Sequence, residues 1–396
     1  MNAPKDHLLK KLEALLNQSA ADVKLREKTA FDKELQGNKN VLIFGAGGLG
    51  KKSARILNKA GYNICGFIDN NWKDKGSDCD GIKVYSPREA WKKYGKSVGV
   101  VVGIYNGQAT ETMGDRLRPL VKIGFSKIVH IGLFGWKFPP LLLPLYSLDR
   151  PSNLLSHKKE IIEAYHLFKE FESRKLFVNH VAWRLDLDFN HLPKPTKETI
   201  YFNKRLVLPH SGEYLIDGGA YNGDTLKSFL AEFGKKGYYK IACFEPDPKN
   251  YIKLRKTAVQ LRPRGQPVKV YPYALGQKSS KCRIEGSGRP SSRVGIGKTI
   301  VICKTIDSYA EKNFKPTFIK LDVEGHELSA LQGASQTIRK NKPVLAISAY
   351  HRQNDLWKIP LAIFKMQSEY IFRLKPHVAD GWDLVLYAVP QERLKS

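Results

Sequence analysis

Two short stretches hold the residues best placed to do chemistry: LIDGGAYNGDTL (Leu215–Leu226) and, about twenty residues later, ACFEPDP (Ala242–Pro248). Each begins as an apolar run and ends in an acid, Asp217 in the first and Glu245 in the second, with a glycine-rich turn and a helical pattern between them. This is the pattern of a βαβ unit. In an open α/β sheet ligands sit beyond the carboxyl ends of the strands, so the two carboxylates face one crevice. Gly218, Gly219 and Gly223 let backbone approach a ligand closely, and a carboxylate one strand over suits the paired hydroxyls of a ribose.

The loop opens with an acid, which would repel a pyrophosphate from the positive end of the following helix. S-Adenosylmethionine carries a ribose and an amino group but no phosphate, and it fits better. In that reading Asp217 lies near the methionine end, Gly219 and Gly223 run under the cofactor, and Glu245 takes the ribose. Further elements follow in order. TFIKLDVEGHELSALQGA (Thr317–Ala334) reads as a buried strand ending near Asp322, a turn at Gly325 and an amphipathic helix. PVLAISAYH is a second apolar strand, ending at His351, and YIFRLKPH with DLVLYAV forms a closing antiparallel hairpin.

The succession DGGAYNGDT, FEPDP, PYALG, SSR, IKLDVEGHE, LAISAYHRQNDLWKIP and LYAV resembles the FkbM-type family of S-adenosylmethionine-dependent methyltransferases, from about Ser156 to the C-terminus. The resemblance implies a class I methyltransferase Rossmann-like fold, a seven-stranded mainly parallel sheet whose last pair is antiparallel. It also implies O-methylation, often of a sugar hydroxyl. With the loop residues Asp217, Gly218, Gly219, Ala220 and Gly223 and the acid Glu245, it places Pro246 of FEPDP and Ala274 of PYALG at the cofactor.

Methyl transfer from a sulfonium is an in-line displacement, so the enzyme aligns the acceptor oxygen and removes its proton. Lys320, Asp322, Glu324, His326 and His351 stand at the strand ends beside the cofactor. Of these, His351 is the expected general base, because an unperturbed imidazole titrates near neutral pH. Asp322, and with it Lys320, completes the catalytic set; Asp322 orients the acceptor or holds a divalent cation. Glu324 and Glu327 read as acids at a helix N-terminus, and His326 as exposed. Oxygen-donor sites leave no diagnostic spacing, so no metal ligands are assigned and a divalent cation stays open. The Gly/Ser-rich stretch EGSGRPSSRVGIGK offers Ser292 and Arg293 as acceptor-binding residues, with a solvated loop as the alternative.

The N-terminal part has its own glycine loop. KNVLIFGAGGLGKKSARILNKAGYNICGFIDNN contains the complete GxGxxG at Gly45, Gly47 and Gly50, then a helix and a strand ending at Asp69. No acid stands in this loop, so a phosphate can sit on the helix N-terminus. The unit reads as a smaller Rossmann-like nucleotide-binding module like those attached to sugar-modifying enzymes. Tyr165 and Lys169 offer a redox pair, but their spacing is an ordinary helical one. The expected division is a helical segment over 1–38, the Rossmann-like domain over 39–135, a linker and helices over 136–212, and the methyltransferase domain over 213–396.

The chain has 66 Lys and Arg against 38 Asp and Glu, a formal charge of +28. These charges are spread along the chain and no nucleic-acid module is recognisable, so an anionic small-molecule or glycan acceptor is expected and nucleic acid is not. Five cysteines without CxxC spacing indicate neither a disulfide framework nor a zinc site and favour a reducing cytoplasm. The charged N-terminal stretch carries no apolar h-region, so a signal peptide is not expected. LFGWKFPPLLLPLYSL is too short and too rich in proline to span a bilayer, which leaves a packed linker, a membrane-surface contact or a homo-oligomer contact open. The expected function is S-adenosylmethionine-dependent O-methylation (EC 2.1.1) of a sugar, glycan or nucleotide-sugar hydroxyl. The alternative is a sugar-nucleotide binding or NAD-dependent sugar-modifying protein with a degenerate methyltransferase half.

Overall fold

The computed structural model describes residues 6–75, 78–105, 111–234, 237–261, 268–286, 288, 295, 297–310 and 314–395. The chain divides into two compact units. One comprises residues 1–158, 179–194 and 378–380, the other residues 159–178, 195–377 and 381–396. The stretch 136–212, read from the sequence as linker and helices, is thus shared between the two. Aromatic side chains explain the sharing: Trp136 and Trp183 lie in the core of the first unit, and Phe202 in that of the second.

The first unit opens with the helix His7–Leu16, whose Leu8, Leu12 and Leu16 are buried at helical spacing. Asp6 caps it by accepting from the backbone N–H groups of Leu8 and Leu9. Its sheet has six strands among the described residues: β1 Asn40–Phe44, β2 Asn63–Ile68, β3 Asp78–Cys79, β4 Ile82–Tyr85, β5 Gly99–Val102 and β6 Ile128–Val129. They run in the order β3-β4-β2-β1-β5-β6, all parallel except the β3–β4 pair. Val41, Ile43, Val101 and Val129 supply one apolar face and Leu42, Phe44, Val100 and Val102 the other, as expected of a parallel sheet covered on both sides.

Among the described residues the second unit has ten strands: β7 Glu213–Gly218, β8 Tyr238–Phe244, β9 Val268–Tyr271, β10 Tyr273–Leu275, β11 Ser280–Ile284, β12 Thr299–Lys304, β13 Phe318–Leu321, β14 Val344–Ser348, β15 Ile371–Pro376 and β16 Leu384–Val389. Seven form the main sheet in the order β15-β16-β14-β13-β7-β8-β9, and β10, β12 and β11 form a small one. In the main sheet the pairs of β16 with β14 and with β15 are antiparallel and the rest are parallel. This is the class I methyltransferase arrangement, preceded by a smaller Rossmann-like α/β domain. The strand order reverses beside β7, so the crevice at its carboxyl end is a topological switch point. Among the described residues no helix is long and apolar enough to cross a membrane.

Candidate active site

β7 delivers Asp217 to the switch point and the chain then turns sharply. Gly219 has φ +73°, and a Cβ there would lie 1.8 Å from the carbonyl oxygen of Asp322. Only glycine fits. The N–H groups of Gly219 and Ala220 donate to the carbonyl of Phe244 at 3.0 and 3.1 Å, tying the loop to the end of β8. Gly223, at φ +90°, caps the helix Asp224–Glu232. Glu245 accepts from the N–H of Tyr221 and from that of Asp247, both at 2.9 Å, so it braces the loop from the neighbouring strand.

Asp217 and Lys320 face each other across the β7–β13 register and are both wholly buried. The Lys320 ammonium lies 3.1 Å from Asp217 Oδ1 and donates to the carbonyls of Gly219 at 2.8 Å and Gly218 at 3.2 Å. Thr225 Oγ1 donates to Asp217 Oδ2 at 2.5 Å. Burial works against the ammonium, but the carboxylates of Asp217, Asp322 and Asp224 more than offset it and raise its pKa. The side chain expected to act in catalysis is therefore pinned beneath the glycine loop. It positions the loop.

Asp322 and His351, expected together at the ends of β13 and β14, do meet: Nε2 is 3.5 Å from Asp322 Oδ1 and 3.7 Å from Glu324 Oε2. On its other side Nδ1 is 2.9 Å from Glu327 Oε1, which also accepts from the N–H of Val323 and of Gly325. Burial disfavours an imidazolium, yet Glu327, Glu324 and Asp322 outweigh it and push the His351 pKa up to about 10. The general-base reading of His351 assumed an imidazole near its ordinary value. Surrounded by acids, the His351 ring is drawn toward its charged form when no other cation stands beside it. Burial also opposes the charge of Asp322, but Lys320 and then His351 bring its carboxyl below the ordinary range.

Several participants were not singled out in the sequence. Glu327, read there as a helix-terminal acid, is fully enclosed and organises the Val323–Gly325 turn; His326 is half-buried, not exposed. Tyr201 Oη lies 3.1 Å from Ser348 Oγ, and its ring is 5.2 Å from the Lys320 ammonium. Ala274 lies in the small core with Ile284, Val301 and Cys303, whereas the adjacent Leu275 reaches Gly218. Pro246 is half-buried in the turn after β8. Ser292 and Arg293 lie outside the described residues.

In the N-terminal loop Gly45 has φ +104°, and a Cβ on Gly50 would come 1.8 Å from the carbonyl oxygen of Gly45. Gly47 is the N-cap of the helix Gly48–Lys59. Asp69, expected among the nucleotide-binding residues of this module, accepts from Ala46 N–H at 2.9 Å and Asn71 N–H at 2.9 Å. It ties the loop to the end of β2.

Comparison with known proteins agrees with both halves. Residues 217–374 match the Methyltransferase FkbM domain and residues 40–116 the PglD N-terminal domain. The crystal structure of methyltransferase FkbM from Methylobacillus flagellatus KT superposes with a TM-score of 0.73 at 20% identity, over 97% of this chain and 98% of that one, and so shares the fold. A putative rRNA-methylase from Clostridium thermocellum overlaps with a TM-score of 0.31 at 13% identity, over 48% of this chain and 89% of that one, too little for a common fold to be read. No curated protein matches. The chain thus carries a stretch similar to the FkbM methyltransferase domain over residues 217–374, preceded over residues 40–116 by one similar to the PglD N-terminal domain.

Proposed function

We propose that the chain is an S-adenosylmethionine-dependent O-methyltransferase acting on a hydroxyl of a sugar, glycan or nucleotide-sugar acceptor in the cytoplasm. The observation that carries this reading is the braced loop at the switch point, with Asp217 and Glu245 fixed on adjacent strands and Asp322 beside them. Glu245 takes the ribose hydroxyls and the Gly218–Ala220 backbone lies against the cofactor. Asp322 orients the acceptor hydroxyl. An oxygen attacking a sulfonium methyl becomes strongly acidic as the new bond forms, so the proton is lost readily and even the weakly basic Asp322 carboxylate suffices. The excess of cationic side chains supports an anionic acceptor, with the N-terminal glycine loop taking its nucleotide or phosphate. Calorimetric titration with S-adenosylhomocysteine tests the cofactor, and mass-detected transfer of a labelled methyl to nucleotide sugars and envelope glycans tests the acceptor. Absence of S-adenosylhomocysteine binding would sink the proposal.

A pH dependence follows from Glu245. Burial, the largest influence, pushes its pKa up to about 7 in spite of the two backbone N–H donors. The carboxylate is the form that accepts both ribose hydroxyls. Affinity for S-adenosylhomocysteine is therefore expected to rise about tenfold from pH 6 to pH 8, and Glu245→Gln should flatten the profile. Stability moves the other way: the contribution of this group is full below the ordinary value of 4.5 and is lost as pH rises through about 7. A pH-independent affinity in the wild type would show that Glu245 does not hold the ribose.

A further inference from the structure

Asp322, Glu327 and His351 each offer one donor atom, and the three atoms lie within 4.8 Å of one another. The 3.5 Å between His351 Nε2 and Asp322 Oδ1 is too long for a good hydrogen bond. Two ligands about 2.1 Å from one cation stand about 3.4 Å apart at a tetrahedral angle, close to that separation. A second observation is independent of this spacing. Asp322 Oδ1 and Glu327 Oε2 are enclosed and accept no hydrogen bond among the described residues, and the Glu327 side chain has no exposure at all. Buried carboxylate oxygens normally find donors.

Charge around the cluster is also unbalanced. Lys320 is committed to Asp217 and the loop carbonyls, while Glu324, Asp355 and Asp383 add further acids. A divalent cation would offset this excess.

We propose that Asp322, Glu327 and His351 form a mononuclear site for a divalent transition-metal ion, which takes a ring-nitrogen lone pair of His351 as the imidazole proton is released to solvent. The imidazole decides the class, since a nitrogen donor favours Mn²⁺, Co²⁺ or Zn²⁺, whereas Mg²⁺ and Ca²⁺ take oxygen sets. Three protein ligands leave coordination positions open beside Asp322. On the methyltransferase reading the acceptor hydroxyl occupies one of them, where the ion lowers its pKa. The ion site itself rests only on the geometry of the cluster.

The test is electron paramagnetic resonance of Mn²⁺ added to the untagged, chelator-treated full chain, without cofactor or acceptor. One Mn²⁺ per chain is expected to bind, displaced by an equal concentration of Zn²⁺ but not by a tenfold excess of Mg²⁺. Asp322→Asn, at a side chain with 25% exposure, should fold and weaken Mn²⁺ binding at least tenfold; His351→Gln should do the same, with circular dichroism confirming the fold of each. No Mn²⁺ bound by the wild type at 1 mM, or unchanged affinity in folded Asp322→Asn, would overturn the site. Displacement by equimolar Mg²⁺ would overturn its class. S-Adenosylhomocysteine binding by the same metal-free chain reports separately on the cofactor reading.

Discussion

Lys320→Met is expected to lower the unfolding free energy by about 3–5 kcal/mol and to abolish S-adenosylhomocysteine binding. The ammonium is wholly buried, and its removal leaves the Asp217 carboxylate enclosed without its cation and the carbonyls of Gly218 and Gly219 without a donor. Methionine keeps the length of the side chain and most of its packing, so the loss reports on charge and hydrogen bonding. Adding Asp217→Asn should recover part of the stability, because the uncompensated charge disappears while Thr225 still has an acceptor. Urea denaturation followed by circular dichroism measures both variants. If Lys320→Met kept wild-type stability and affinity and lost only turnover, Lys320 would act on the reacting groups instead of positioning the loop.

Gly219→Ala should reduce S-adenosylhomocysteine affinity at least about 100-fold and cost about 1–3 kcal/mol of stability. The new methyl would meet main-chain atoms of Asp322, at 1.8 Å from the oxygen and 2.8 Å from the carbon, and these cannot rotate away as a flexible side chain can. The φ of +73° adds strain for any residue with a Cβ. Relief requires the loop to move off β13, which breaks the bonds from Gly219 N–H to Phe244 and from Lys320 to Gly219. Gly48→Ala makes a sharp contrast. No atom lies within 4 Å of the Cβ it would add, and it opens a helix, so its stability should stay within about 1 kcal/mol of wild type. Calorimetry and thermal melting of both variants check the pair. Gly219→Ala with wild-type affinity would mean that the loop does not carry the cofactor.

Features legible in the chain are those whose cause is local. A glycine forced to positive φ, an acid ending an apolar run and a cap before a helix are all set within a few residues. The β7 loop, the β1 loop and the β15–β16 hairpin were accordingly readable. Lys320 was readable as a residue near the cofactor but not in its role, because that role follows from the β7–β13 register, which joins strands about a hundred residues apart. Glu327 looked like any acid at a helix start. Its burial against His351 depends on the turn after β13 folding back under the end of β14, and no spacing in the sequence reports that.

What the sequence determined by itself is the class of architecture and the place of the cofactor loop, since periodicity and turn chemistry act over short range and the carboxyl ends of parallel strands converge wherever such a sheet forms. Tertiary structure alone decided what each charged group there does. It turned Lys320 into a strut, Asp69 into a loop tie and His351 into a ring enclosed by three carboxylates. The physical reason is that the charge state and partners of a buried group depend on desolvation and on neighbours from distant segments. Only the packed fold brings those together.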